Sequence, residues 1–185
     1  MSDLAQEERY SHLSVLKLMK MMVVLKPRMD PLPQTLFADL IRRFYKHYEA
    51  STNSTFKQKF SELFDQLYKE DFDRAVSPKQ PKILLPANKD ELRTQLVKTY
   101  ALYHPQEASE KFSLRFHSLE KAQSELIEPY AMSMMMTDTP GEKYDSFIQF
   151  AKATPDPSIK DKVYASLGLN INPEVRKKSF KAFLM

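Results

Sequence analysis

Four histidines, His12, His47, His104 and His117, are the residues most suited to holding a metal or moving a proton near neutral pH. No two of them share a helical turn, and H-E-x-x-H is absent, so their spacing builds no zinc site. The chain has no cysteine, which excludes disulfides, thiolate metal centres and a thiol nucleophile. Its two glycines, Gly141 and Gly168, stand 27 residues apart. That excludes glycine-rich phosphate loops and the G-x-S-x-G nucleophile elbow. Glu70, Asp71 and Asp73 gather carboxylates, but a hard cation needs several oxygens around a tight loop. Lys69 and Arg74 beside them point to ordinary surface ion pairs. No catalytic residue, metal or cofactor is therefore expected. An all-α enzyme assembling carboxylates from distant helices ranks last among the functional readings.

Positive charge is the next chemical resource. From Pro157 to Met185 there are six basic and two acidic residues, a local excess equal to the +4 of the whole chain. Arg176, Lys177, Lys178 and Lys181 sit on the last helix expected. Arg42, Arg43 and Lys46, with His47, form a second cluster, and Lys17, Lys20, Lys26 and Arg28 lie near the end of the first helix. Such clusters suit phosphate neutralisation, and Arg42, Arg43, Lys46, Arg176, Lys177, Lys178 and Lys181 are the candidate nucleic-acid contacts. The simpler reading is a set of solvated helix faces whose cations favour helix C-termini. No arginine-rich run, zinc-finger spacing or aromatic RNA-binding motif adds to the nucleic-acid reading.

Ten methionines are the other unusual resource, gathered at Met19, Met21 and Met22 and again at Met132, Met134, Met135 and Met136. Flexible thioethers fill irregular cores and also line adaptable protein-binding surfaces. The first group is expected in a core. Part of the second follows Pro129 and precedes a turn, so it is the candidate protein contact, with core filling as the other reading. Pro78-Lys79-Gln80-Pro81 matches P-x-x-P, a pattern that arises often by chance in proline-bearing loops.

The elements that must position these residues read as helices throughout. Asp3 with Gln6 opens a helix to about Lys26, apolar on nearly every side in its second half and so expected to be central and buried. Pro27, Pro31 and Pro33 stop it. A second helix, about 34–50, places Phe37, Leu40, Ile41, Phe44 and Tyr48 on one face. Ser51 to Ser54 supplies the next cap, and Asn53-Ser54-Thr55 reads as that cap rather than a glycosylation site. A third helix, about 55–74, carries Phe56, Phe60, Leu63, Phe64, Leu67 and Tyr68. The connector 76–88 holds Pro78, Pro81 and Pro86 and is the one internal boundary expected. Asn88 with Glu91 starts a helix to Tyr103, ended by His104-Pro105. Helix is expected from there to a break near Pro129, although Phe112, Leu114 and Phe116 alternate as in a strand. Thr139-Pro140-Gly141-Glu142, Asp156-Pro157 and Asn172-Pro173 open the last three helices, with Gly168 expected as a left-handed cap.

These readings define an all-α chain, a compact bundle of seven or eight helices with proline-rich connectors. It is expected as a single domain over 1–185, with 1–75 and 88–185 as the subdivision the connector permits. With 42% hydrophobic and 28% charged residues the composition is that of a folded protein. The most apolar stretch, Leu13 to Leu25, is too short to span a bilayer and contains Lys17 and Lys20. The polar, acidic N-terminus does not read as a secretory signal, so a cytoplasmic location is expected. The leading functional expectation is a non-enzymatic helical interaction or assembly protein, a subunit of a larger or self-associated complex. A nucleic-acid binder of nucleocapsid or RNA-packaging type is the alternative.

Overall fold

Every regular element among the described residues is helical, and four of the nine α-helices begin on a proline. Proline is suited to that position because its missing N–H would have no intrahelical acceptor there. A computed structural model describes the backbone of residues 3–77, 87–139 and 141–183, and the side chains of 12–77, 91–118, 120–139 and 141–179. These residues divide into two compact units. The first holds the chain to Arg74 and the early part of the fourth helix to Leu96; the second holds Ala75 and Val76 and continues from Val97. The P-x-x-P stretch, Ile83 to Leu85 and the capping pair at Asn88 lie outside the described residues or side chains.

In the first unit, α1 (Asp3–Leu25) runs into a single 3-10 turn at Lys26–Arg28. It is followed by α2 (Pro31–Ala50) and α3 (Ser54–Val76). Pro31 and Pro33 do not merely end α1; they form the first turn of α2, which therefore starts three residues earlier than its hydrophobic pattern suggests. Asn53 Oδ1 accepts the Phe56 backbone N–H at 2.9 Å, so the Asn53-Ser54-Thr55 triplet serves as a helix cap.

Side-chain contacts fix the directions of these three helices. His12, early in α1, stacks on Phe56, early in α3. Lys26, just past the end of α1, donates to the Leu67 carbonyl and pairs with Asp71 on α3. Hence α1 and α3 run parallel. Phe44 and Tyr48, late in α2, meet Phe56 and Phe60, so α2 runs antiparallel to both. The core is aromatic: Phe56, Phe60, Phe64, Tyr68 and Phe72 form one buried stripe of α3. The second half of α1 is not buried all round. Met19 and Met22 are buried, whereas Leu13, Met21, Val24 and Leu25 are exposed, because only the side facing its neighbours is covered.

The fourth helix, α4 (Ala87–Tyr103), ends at His104, and α5 (Pro105–Phe116) follows at once. The helix expected from there to Pro129 is interrupted earlier. His117 takes a left-handed conformation, φ 60°, that closes α5 with its N–H on the Ser113 carbonyl. A 3-10 turn, Leu119–Lys121, leads to α6 (Ile127–Thr137), in whose first turn Pro129 sits without cost. That split raises the count above the eight expected. Next come α7 (Tyr144–Ala153), α8 (Pro157–Leu167) and α9 (Pro173–Phe183). α7 starts later than Thr139-Pro140 suggests, since Gly141 at φ +78° cannot belong to a helix. Asp156 and Asn172 cap α8 and α9 as expected. Gly168 is right-handed at φ −66°, not the left-handed cap expected.

The central helix of the second unit is α6, which packs on α5 and α8, while α8 also carries α7 and α9. Ile127 and every residue from Pro129 to Met135 are buried. Phe112, Phe116 and Tyr130 pack ring to ring across α5 and α6, with centroids 5.3 to 6.2 Å apart.

Candidate interaction face

On α2, Phe37, Ala38 and Ile41 are buried, with Phe44 and Tyr48 meeting the rings of α3. Leu32, Leu36 and Leu40 recur every four residues, so they align as one row along the helix. They are 68%, 62% and 49% exposed, respectively. Single exposed leucines are ordinary, but three in register are a continuous apolar strip. Leu40 was expected in the core face and instead lies on this strip. Sequence reasoning missed the strip because Pro31 and Pro33 read as breakers, which removed Leu32 from any helix. The signal was leucine at every fourth position from the residue after Pro31. On α1 of the same unit, Met21, Val24 and Leu25 add exposed apolar surface.

The same unit exposes several cations. Lys17, Lys20, Arg28, Arg43 and Lys46 are exposed, and Asp30 and Glu49 are the exposed acids of the described part of α1–α2. Arg42 is engaged inside the unit, donating to Asp39 at 2.5 Å and to Gln95 at 2.5 Å. Arg43 pairs with the second Asp39 oxygen at 2.8 Å. The Arg42 hydrogen bond, helped by both guanidinium charges against an opposing effect of burial, holds the Asp39 carboxyl below the usual carboxylate range. Of the three candidate phosphate contacts on α2, Arg42 is thus committed to structure, Arg43 is half-neutralised and Lys46 is exposed.

The remaining candidates lie in the second unit. Arg176, Lys177 and Lys178 are exposed on α9, and Lys177 pairs with Glu174 at 2.8 Å. The Lys181 side chain lies outside those described. Met132, Met134 and Met135 are buried at 5% exposure or less, and Met136 is half-buried. The expectation of an exposed contact there is corrected: Ile127 and Pro129 to Met135 are buried between the neighbouring helices, and these thioethers fill the core. Among the described residues no group of histidines and carboxylates is arranged to hold a metal ion. Nor is any described helix long and apolar enough to cross a membrane. No protein-family model, curated protein or solved structure matches this chain.

Proposed function

We propose that this chain is a non-enzymatic helical assembly protein that self-associates through the outward face of α2. The exposed Leu32–Leu36–Leu40 strip carries this reading. The strip is symmetric about Leu36, so an antiparallel second copy pairs Leu36 with its equivalent and Leu32 with Leu40 of that copy. This is the self-complementarity that a two-fold interface requires. The exposed cations Arg43 and Lys46 on the same helix oppose close approach of two copies, and screening them favours association. Light scattering across a concentration series at low and high salt tests it. The expected result is a mass rising above 21.6 kDa with concentration, more readily at high salt. Leu36→Asp with Leu40→Asp should return it to the monomer value with helicity intact. A monomer at every concentration and salt overturns the reading.

A second reading rests on the consecutive exposed cations Arg176, Lys177 and Lys178. They suit a nucleic-acid backbone, and binding through them would weaken steeply with salt. With no Trp and nine Tyr the chain absorbs weakly near 280 nm, so copurifying nucleic acid is conspicuous in the same chromatogram. Charge reversal at Lys177 and Lys178 should flatten the salt dependence; an affinity indifferent to salt counts against it.

A further inference from the structure

The second unit contains a cleft of about 310 Å³ between the end of α5, the side of α6 and the start of α7. Its size falls within the range of small-molecule sites. Tyr130, Phe147 and Phe150 give it an aromatic wall, and His117, Lys143 and Ser146 give it a polar one. A shallower depression beside Leu114 continues the groove past Lys143 and Ser113. Three features distinguish this groove from a packing gap.

The first is Lys143. Its Nζ sits 3.7 Å from Met134 Sδ, and no carboxylate pairs with it among the described residues. A thioether is a weak acceptor, so the ammonium keeps most of its capacity for a stronger one. The second is the seat that holds Lys143. Both oxygens of the buried Asp138 carboxylate accept backbone N–H groups, one from Glu142 and one from Lys143, each at 3.1 Å. Asn170 donates to the Asp138 carbonyl at 3.4 Å, and Asn172 to that of Thr139 at 3.3 Å. The base of the lysine is therefore fixed from two directions.

The third feature is His117. A left-handed residue after a helix is usually glycine, because a Cβ there crowds the following carbonyl. Here an imidazole occupies that position at the edge of the cleft.

We propose that this cleft binds a small monoanion with an apolar body, of the arylcarboxylate class. The ring lies against Phe147, Phe150 and Tyr130, and the carboxylate meets Lys143, with His117 beside it. A single negative charge is favoured because Glu120 also lines the cleft and repels a second one. This inference is independent of self-association, which rests on the first unit.

The probe is 2-naphthoate, followed by equilibrium dialysis and by amide shifts in NMR, with 2-naphthylmethanol as its uncharged counterpart. Saturable one-to-one binding is expected, with shifts confined to residues of α5, α6 and α7 around the cleft. The alcohol and the Lys143→Glu variant should each weaken binding about tenfold or more. Lys143 is exposed, so its replacement leaves the fold intact. Ser146→Trp, which fills the cleft, should abolish binding with circular dichroism unchanged. Absence of saturable binding overturns the proposal, as does equal affinity for the alcohol or an affinity indifferent to Lys143→Glu.

Discussion

The Asp138 carboxylate caps the turn before α7 by accepting the backbone N–H of Lys143 on Oδ2 at 3.1 Å. The same side chain accepts the Glu142 N–H on Oδ1. Two donors at the helix entrance thus depend on one buried residue, 5% exposed. Asp138→Ala leaves both unsatisfied, and a lost cap of this kind costs about 1–2 kcal/mol. Urea unfolding is expected to show that loss. Asp138→Asn, which keeps one acceptor oxygen, should lose less. Equal stability of the alanine variant and the parent would contradict the capping role.

Gly141 is the second fixed point of that turn. Its φ of +78° is strained for any side chain, and a Cβ there would fall 2.6 Å from Val175 Cγ2 on α9. Gly141→Ala is expected to destabilise the protein by about 1–3 kcal/mol, the range of backbone strain plus overpacking. Gly141→Ala combined with Val175→Ala should cost less than the two single losses added together, since the methyl group that collides is removed. Because Val175→Ala alone loses buried packing, the double-mutant cycle decides: strictly additive losses would assign the whole Gly141→Ala effect to φ.

How far this arrangement was legible in the sequence depends on the kind of signal. Capping by Asp156 and Asn172 depends on neighbours two or three residues away, and both were read correctly. Periodicity on α3 likewise identified Phe56, Phe60, Phe64 and Tyr68 as core. The all-round burial expected of α1 fails, and of the two readings open to Met132–Met136 core filling holds, because an apolar sequence does not say how many neighbours will cover it. α6 is enclosed between partners, while α1 is covered along one side. Lys143 carried no sequence signal at all. Its significance comes from Asp138, Asn170 and Asn172, which tertiary packing brings together. Leu32, Leu36 and Leu40 were visible as a pattern, but whether a leucine row faces core or solvent is settled by which opposite face is more aromatic.

The buried phenol of Tyr68 gives a prediction of opposite sign. Tyr68 is 2% exposed, and its hydroxyl makes no hydrogen bond. Its ring packs on Phe64 with centroids 4.8 Å apart. A buried hydroxyl without a partner costs about 1–3 kcal/mol, while the ring's packing survives loss of the oxygen. Tyr68→Phe is therefore expected to stabilise the protein by about 1 kcal/mol, raising the melting temperature by about 2–4 °C. A lower melting temperature would show that the hydroxyl is satisfied in solution.

Buried phenols also set the response to alkali. Burial, followed by the charge of Glu49 and the neighbouring Tyr48, pushes the Tyr45 phenol up to about 12. Burial likewise raises Tyr48, Tyr68, Tyr130 and Tyr144. In the unfolded chain a tyrosine loses its proton near pH 10. Between about pH 10 and the higher folded values, the unfolded state therefore binds fewer protons than the folded one. Stability contributed by these neutral phenols is complete below about pH 10 and falls as pH rises through that window. Tyrosinate absorbance should show a late-titrating set among the nine tyrosines, merging into the ordinary set once urea unfolds the chain. The absence of Trp leaves that signal uncontaminated. Tyr45→Phe should make the fall of the melting temperature with alkali shallower; an unchanged slope would mean that the Tyr45 phenol is open to water.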